Sequence, residues 1–393
     1  MARSSLEVAD IFRDHGPAWR EANRGHISLE QLKVMSAIER CRTAALGGYV
    51  ARCENEKCSH TVIAYCSCRD RHCPRCQAAA SREWLAEREA ELLPVGYFHV
   101  VFSLPSQIAD IAYHNKRVIY GLLLQVSAET MLTIAADRKR LGAKIGITSV
   151  LHTWGSTMTH HPHVHMIVPG GGLSQDGKRW VAARPKYLLP VKVLSRLFRR
   201  RMLEELVKAH AAADLRFFNE HTALSDRPAF TAFLQPLRRL KWVVYAKEPF
   251  AGPEPVLRYM ARYTHRVAIS NQRLVAADDG GVAFRWKDYR HHGKAKVMTL
   301  EPFEFIRRFL LHTLPDGFHR IQHYGFLANG HRAAKLALCR SLLDVASPSG
   351  NQVQDLLPAQ PPERCPCCGG TMVVLGILPH PSSARPPRAD DTS

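Results

Sequence analysis

The chain of 393 residues carries 54 Lys and Arg against 35 Asp and Glu, a formal net charge of +19. Such a surplus of like charge repels itself unless it serves a polyanion, and nucleic acid is the commonest polyanionic partner. An anionic membrane surface is the rival, but the sequence shows no signal-peptide core after Met1 and no uncharged apolar run long enough to span a bilayer. We therefore expect a soluble cytoplasmic protein with no membrane partner, large enough for more than one domain.

Hydrophobic periodicity predicts alternating helices and strands along most of the chain. Helical spacing of apolar residues predicts helices at 1–50, 78–93, 108–142, 190–212, 255–266 and from near Glu301. Short apolar runs predict strands at 97–104, 147–155, 163–168 and 242–245, followed by hairpin strands up to Leu300. After about residue 346 the composition shifts to Pro, Ser, Gln and Asp, which is typical of disorder except around the cysteine cluster of the tail.

This order of elements predicts an α+β fold, with an antiparallel sheet flanked by helices rather than a doubly wound sheet. Three regions follow: a small helical and cysteine-rich domain at 1–93, the α+β domain at 94–345, and a disordered tail with a cysteine cluster at 346–393. The sequence has no Gly-rich phosphate loop, so we expect no nucleotide cofactor.

The 11 cysteines are clustered, with six between Cys53 and Cys76, three between Cys365 and Cys368, and only Cys41 and Cys339 apart. In a chain without a secretion signal, close cysteine pairs indicate metal ligands rather than disulfides. Two pairs separated by a short loop suit a tetrahedral structural zinc. The favoured ligands are Cys53, Cys58, Cys73 and Cys76, while Cys68 and His72 are substitutes or members of a second site.

The C-terminal stretch Cys365-Pro366-Cys367-Cys368 is a half-site without a clear second pair. His380 or a partner chain would complete it as a metal site, and an exposed reactive cluster is an equal alternative. Spacing alone leaves it unassigned.

Two segments interleave basic residues with cysteines or with aromatic residues. Within the cysteine block, Arg69, Arg71 and Arg75 favour a DNA-contacting module. At 285–294, a predicted hairpin combines Arg and Lys with Trp286 and Tyr289, a pattern typical of surfaces that stack unpaired bases, although a solvated turn is an equal alternative.

The stretch His161-Pro162-His163-Val164-His165 lies in a predicted strand. Because strand side chains alternate, His163 and His165 project from one face and can share a divalent ion. His161 is on that face too and is a weak candidate for a third ligand, although Pro162 disturbs the backbone there. His152 is an equally weak candidate, since a lone histidine is more often structural.

The segment Arg258-Tyr259-Met260-Ala261-Arg262-Tyr263 lies in a predicted helix. Residues four apart share one helical face, so Tyr259 and Tyr263 lie together, with basic residues at Arg258, Arg262 and Arg266. A tyrosine hydroxyl with a pKa of ~10 is a weak nucleophile unless its oxyanion is favoured. A metal beside it would polarise a phosphodiester, and arginines would hold the flanking phosphates.

The His-hydrophobic-His strand followed by a Tyr-x3-Tyr helix resembles the HUH endonucleases, which include replication initiators, relaxases and rolling-circle transposases. Four stretches narrow the resemblance to the transposases of insertion-sequence ninety-one, in the same order along residues 10–345: Ser67–Cys76, His161–Gly172, Tyr259–Ser270 and Glu304–Pro315. The resemblance implies an HUH-type sheet, cleavage and rejoining of single-stranded DNA at element ends through a 5′-phosphotyrosine, Tyr259 and Tyr263 as nucleophiles, and catalytic Mg²⁺ or Mn²⁺.

Three other functions compete with this one. A replication initiator or relaxase would share the chemistry, but the zinc block and the absence of helicase motifs favour the transposase. A non-catalytic zinc-dependent DNA-binding regulator would not need the histidines or the tyrosines. A metallohydrolase would need a third strong ligand and a general base, and no His-Glu-x-x-His pattern supplies them.

Overall fold

The computed structural model describes residues 6–77, 89, 91–250, 255–256, 267–288, 291, 293–344 and 364–380. The larger part of two predicted helices, at 78–93 and 255–266, lies outside the described residues. The eight α-helices of the described residues are, in chain order, α1 (Val8–Ala22), α2 (Leu29–Arg40), α3 (Ser106–Ala112), α4 (Lys116–Ala136), α5 (Val191–Ala211), α6 (Arg227–Leu234), α7 (Pro302–Leu311) and α8 (Arg332–Leu342). The long helix predicted at 108–142 is thus two helices, α3 and α4.

The strands of the described residues form four antiparallel sheets. They are β1 (Gly48–Cys53), β2 (Thr61–Tyr65), β3 (Tyr97–Ser103), β4 (Ala143–Lys144), β5 (Gly146–Trp154), β6 (His160–Pro169), β7 (Gly171–Ser174), β8 (Trp180–Ala182), β9 (Val244–Phe250), β10 (Leu274–Asp278), β11 (Gly281–Asp288), β12 (Lys294–Leu300), β13 (Ile321–Gly325) and β14 (Met372–Leu378). The predicted α+β class with an antiparallel central sheet is confirmed.

The central sheet has five strands in the order β13-β5-β6-β3-β9, and every neighbouring pair is antiparallel. One face is apolar: Val100, Phe102, Val164 and Met166 are fully buried in the main hydrophobic core, together with residues of α4 and α5. Side chains on the other face alternate with these, and they include the histidines of β3, β5 and β6. The sheet therefore has one face for the core and one for polar chemistry.

Helix α4 is long and apolar enough to cross a membrane, by length and composition alone. Much of it, however, is core: Tyr120, Leu123, Leu124 and Met131 are fully buried against the central sheet. The apolar character of this helix is accounted for by its place beneath the sheet.

The N-terminal helices pack on a second core. Ser28 caps the start of α2 with a capping box. Its Oγ accepts from the Gln31 amide at 3.2 Å, and Gln31 Oε1 accepts from the Ser28 amide at 3.0 Å. The rings of Phe12 and Phe309 meet at 5.2 Å between centroids, joining α1 to α7. The β10-β11-β12 sheet buries Val282 and Phe284 in the same core. Helices α1 and α2 confirm the helical prediction over much of the first 50 residues, whereas the end of that range, from Gly48, lies in strand β1.

Residues 364–380 of the tail, which contain the cysteine cluster excepted from the predicted disorder, are ordered. Strand β14 pairs antiparallel with β1 from Cys53↔Met372 to Gly48↔Leu378, and β1 pairs with β2 on its other side. The sequence did not predict β14, because composition measures the capacity of a segment to bury its own apolar side chains. A strand can instead be held by the backbone hydrogen bonds of a partner edge, here 319 residues away in sequence between Cys53 and Met372 (372 − 53).

Candidate active site and metal centres

Three histidines meet on the polar face of the central sheet. His163 and His165 alternate along β6, and the strand register places His152 of β5 directly opposite His163. The ring centroids are 5.5 Å apart for His152 and His163, 4.5 Å for His152 and His165, and 4.8 Å for His163 and His165. One ligand nitrogen from each ring lies within 4.8 Å of the others, so the three can hold one metal ion.

Contacts behind the rings fix their orientation. His163 Nδ1 donates to the carbonyl oxygen of His161 at 2.7 Å, which leaves Nε2 as the nitrogen with a lone pair. His165 Nδ1 contacts His99 Nε2 at 2.8 Å, and the two rings are stacked. Desolvation lowers the pKa of both His99 and His163 to about 4, so both are neutral imidazoles at neutral pH. Such outer contacts hold ligand histidines in one tautomer and one orientation.

The geometry favours His152, and not the predicted His161, as the third member of the set. His161 lies outside the group of ligand nitrogens that approach one another, and its side chain is exposed at the start of β6. Its contribution is its backbone carbonyl, which accepts the bond from His163. Sequence reasoning ranked the two equally because the pairing of β5 with β6, which sets His152 opposite His163, is not visible in local spacing.

The predicted nucleophiles Tyr259 and Tyr263, with Arg258, Arg262 and Arg266, lie outside the described residues. The described part of their segment, 255–256, is helical. Val256 is fully buried against Tyr97 of β3 and Ile167 of β6. Those two residues stand two positions from His99 and His165 along their strands and therefore share their sheet face. Val256 thus packs on the histidine face of the sheet.

Four cysteines that we call the first cysteine cluster meet at the N-terminal core: Cys41, Cys68, Cys73 and Cys76. The Sγ atoms are 3.6 Å apart for Cys41 and Cys76, 3.5 Å for Cys68 and Cys76, and 3.6 Å for Cys41 and Cys73. A tetrahedral zinc with Zn–S bonds of ~2.3 Å places its sulfurs roughly 3.8 Å apart, so the four fit a structural zinc. Cys41 follows α2 and was missed because it stands far from the other cysteines in sequence.

The second cysteine cluster consists of Cys53, Cys58, Cys365 and Cys368. Its Sγ atoms are 3.4 Å apart for Cys53 and Cys368, and 3.6 Å for Cys58 and Cys365. The predicted tetrad of Cys53, Cys58, Cys73 and Cys76 is therefore wrong as a single site, because the fold divides its two pairs between two clusters. Spacing showed the pairs correctly but not which other cysteines complete each one.

The arginines of the cysteine block are used differently from what was predicted. The Arg71 guanidinium donates to the carbonyl oxygens of Phe318 and Pro315, the latter at 2.7 Å, in the segment after α7. Arg75 Nε donates to Glu7 Oε1 at 2.6 Å in a half-buried ion pair. Both hold the zinc-binding region to the rest of the molecule, whereas Arg69 is exposed.

The predicted basic hairpin is present as β11 and β12, paired from Val282↔Leu300 to Asp288↔Lys294. Its outer residues Arg285, Lys287 and Lys294 are exposed, while Trp286 is half-buried with the Lys296 ammonium 5.8 Å from its ring centroid. Ser156 Oγ, in the turn between β5 and β6, donates to the Lys287 carbonyl at 2.8 Å. A basic surface is thus attached to the turn that follows the histidine strand β5.

Comparison with known proteins places these features in one family. Residues 146–335 match the family model of a putative transposase, and residues 11–104 match that of a transposase zinc-binding domain of the IS91 type. The putative transposase y4qJ of Sinorhizobium fredii is 55% identical over 403 aligned residues that cover all of both chains. The transposase for insertion sequence element IS801 of Pseudomonas savastanoi pv. phaseolicola is 26% identical, covering 88% of this chain and 84% of the relative.

No solved structure matches the chain. The zinc-binding domain match and the cysteine clusters together support structural zinc in the N-terminal region. The match at 146–335 contains β5, β6 and the basic hairpin. The alignment with y4qJ covers the whole chain. The chain belongs to the insertion-sequence ninety-one (IS91) family of transposases.

Proposed function

We propose that this transposase cleaves and rejoins single-stranded DNA at the ends of its insertion element, in rolling-circle transposition through a 5′-phosphotyrosine intermediate. The observation that carries the proposal is the meeting of His152, His163 and His165 on two neighbouring strands, with ligand nitrogens within 4.8 Å of one another. Three convergent imidazoles on the sheet face opposite the main core have no evident structural use, which supports a metal site.

The proposed catalytic ion is Mg²⁺ or Mn²⁺, held by these three imidazoles. When bound, the ion polarises the scissile phosphate and stabilises the negative charge that develops during attack. Imidazole is a softer ligand than the carboxylates and waters that Mg²⁺ prefers, so we expect Mn²⁺ to bind more tightly than Mg²⁺.

The burial of Val256 supports the approach of the tyrosines to this site. In the helix expected from the sequence, Tyr259 is three positions and Tyr263 seven positions after Val256, so all three share one helical face. Val256 packs on Tyr97 and Ile167, beside the histidines. If the expected helix continues from Val256, its shared face would turn toward the sheet, and we propose that both hydroxyls approach the metal ligands in this way.

The proposed reaction is a transesterification. A tyrosine oxygen forms a bond to the phosphorus as its proton leaves to solvent, and the bond from phosphorus to the 3′ oxygen breaks. The leaving 3′ oxygen takes up a proton. The products are a 5′-phosphotyrosine and a free 3′-hydroxyl. The same step in reverse, with another 3′-hydroxyl as attacking group, rejoins the strand without an external energy source, and two tyrosines allow two successive transfers.

The exposed cations Arg285, Lys287 and Lys294 of the hairpin are the proposed track for the substrate strand. They lie beside the turn after β5, and half-buried Trp286 adds an aromatic surface for an unpaired base. Arg69, which is exposed in the cysteine block, remains a predicted phosphate contact, as do Arg258, Arg262 and Arg266.

The test is incubation of the purified protein with labelled single-stranded oligonucleotides that carry the element's ends, with Mg²⁺ or Mn²⁺ present. We expect a covalent protein–DNA adduct that survives denaturation, requires the metal, and is absent from Tyr259→Phe/Tyr263→Phe. Tyr187→Phe is the matched control, because Tyr187 is an exposed tyrosine outside the proposed site.

Specific binding to end sequences without any adduct, in either metal, would contradict the proposal and favour a non-catalytic DNA-binding regulator. An adduct that persists in Tyr259→Phe/Tyr263→Phe would show that the nucleophile is another residue.

A further inference from the structure

We propose that the second cysteine cluster is a second zinc site, built by the two ends of the chain, that holds the C-terminal strand β14 on the N-terminal hairpin. Cys53 and Cys58 come from the turn after β1, and Cys365 and Cys368 come from the turn before β14. The inference is independent of the strand-transfer chemistry, because it concerns a site remote in sequence from the histidines and tyrosines.

The donor set fits zinc in chemistry and in spacing. The four Sγ atoms lie within 4.8 Å of one another, with contacts of 3.4 Å between Cys53 and Cys368 and 3.6 Å between Cys58 and Cys365. These distances exclude disulfides, whose sulfurs are ~2.05 Å apart, and agree with the roughly 3.8 Å between sulfurs in a tetrahedral thiolate site.

Both turns are shaped as metal-binding knuckles. In the first, the Cys58 amide donates to the Asn55 carbonyl at 2.8 Å; in the second, the Gly369 amide donates to the Cys365 carbonyl at 2.8 Å. Gly369 has φ +74°, a conformation that favours glycine. These turns bring the two thiols of each pair to the same side of the backbone.

Gly370 leaves space for the sulfurs. A Cβ at this position would lie 3.2 Å from the Cys53 Sγ and 3.4 Å from the Cys368 Sγ, closer than carbon and sulfur pack without displacement. The glycine therefore allows the C-terminal turn to approach the sulfur of the N-terminal strand.

Hydrophobic burial does not explain why β14 is docked. Its apolar side chains face solvent, with Val374 at 55%, Leu375 at 54% and Ile377 at 82% exposure. Backbone pairing with β1 remains, but an edge strand with little burial is marginal by itself. Coordination by four thiolates would add the missing stabilisation and would close a loop between residues 307 positions apart, Cys58 and Cys365.

The first experiment is the zinc content of the purified full-length protein by native mass spectrometry. We expect two zinc ions per chain in the wild type, one for each four-cysteine cluster, and one in Cys365→Ser/Cys368→Ser. The matched control is Cys66→Ser/Cys367→Ser, which changes two exposed cysteines from the same two regions and should keep two ions. One ion in the wild type, or two in Cys365→Ser/Cys368→Ser, would overturn the proposal.

A second measurement uses the wild type alone and so does not depend on the folding of a variant. In zinc-loaded protein, a thiol-alkylating reagent should modify Cys66 and Cys367 at once, while Cys365 and Cys368 react at least ~10-fold more slowly until a chelator is added. Hydrogen exchange should show β14 losing protection with the chelator. Alkylation of Cys365 and Cys368 as fast as Cys367 in the zinc-loaded protein would refute the site.

Discussion

The histidine site and the second cysteine cluster are built on opposite principles. The histidines lie on β5 and β6 in the middle of a five-stranded sheet, whose other face is packed beneath α4 and α5. The cysteines lie in two turns at the edge of the molecule, beside a strand whose apolar side chains are exposed. On the two proposals made above, the first geometry is held by the protein in advance, whereas the second depends on its metal. A catalytic site needs a fixed geometry before substrate arrives, whereas a structural metal can supply the folding energy itself.

The largest expected effect tests the claim that the histidine geometry is held by the sheet. His163→Ala/His165→Ala should lower the rate of adduct formation by roughly 10²–10³-fold, because Lewis-acid stabilisation of several kcal/mol is lost. The Tm should fall by less than roughly 5 °C, since the strand ladder and apolar face are unchanged. His319→Ala, at an exposed histidine outside the cluster, should match the wild type in both gel-based adduct assays and thermal melts. Unfolding of the double variant would show that the sheet does not hold its structure without these imidazoles, which would contradict the comparison with the cysteine cluster.

A second prediction separates the two candidates for the third ligand. His152→Ala should weaken Mn²⁺ binding by roughly 10–100-fold, because one of the three convergent nitrogens is removed. His161→Ala should change it by less than about 3-fold, since the His161 nitrogens are not among the converging ligand atoms and its backbone carbonyl, which accepts from His163, is kept. Isothermal titration with Mn²⁺ measures both. Equal losses in the two variants would show that strand pairing does not decide the ligand set.

A third prediction concerns the tight approach at the second cysteine cluster. Gly370→Ala would place a methyl group 3.2 Å from the Cys53 Sγ, and overpacking of this kind costs about 1–3 kcal/mol, or roughly 5–150-fold in zinc affinity. Gly376→Ala is the matched control on the same segment, because a Cβ there meets no atom within 4 Å. Competition with a zinc chelator measures the affinities. A wild-type affinity in Gly370→Ala would argue against a filled site.

The smallest expected effect is a pH dependence of stability from the core beside the histidine site. His312 is buried and contacts Thr153 Oγ1 and the Met158 carbonyl, and desolvation lowers the pKa of its imidazole to about 3. The unfolded chain takes up this proton below about pH 6.5, so the contribution to stability is complete above that pH and is lost as the pH falls toward about 3.

In thermal melts, lowering the pH from about 7.5 to about 4.5 should therefore reduce the Tm of His312→Gln less than that of the wild type. The two reductions should differ by roughly 5 °C. His331→Gln, at an exposed histidine, should keep the wild-type difference. An unchanged difference in His312→Gln would mean that other buried histidines carry the acid sensitivity.

Much of the secondary structure follows from local pattern. The short apolar run at 97–104 predicted β3, the His-Val-His strand predicted β6, and apolar spacing predicted α5 within a residue or two. These elements were predictable because their signals lie in neighbouring residues along the chain. Strand β14 was not predicted for the complementary reason, since its partner β1 is distant in sequence.

The sequence by itself determined the chemical types at this protein's candidate sites: an imidazole pair on one strand face, closely spaced thiol pairs, and two tyrosines four positions apart. Only the tertiary structure decided the partners. Pairing of β5 with β6 added His152, packing of α2 on the cysteine block added Cys41, and pairing of β14 with β1 brought Cys365 to Cys58. The physical reason is that sequence spacing constrains only residues that are near one another along the chain. Sheet register and core packing join residues that are far apart in sequence, and their separation does not predict the contact.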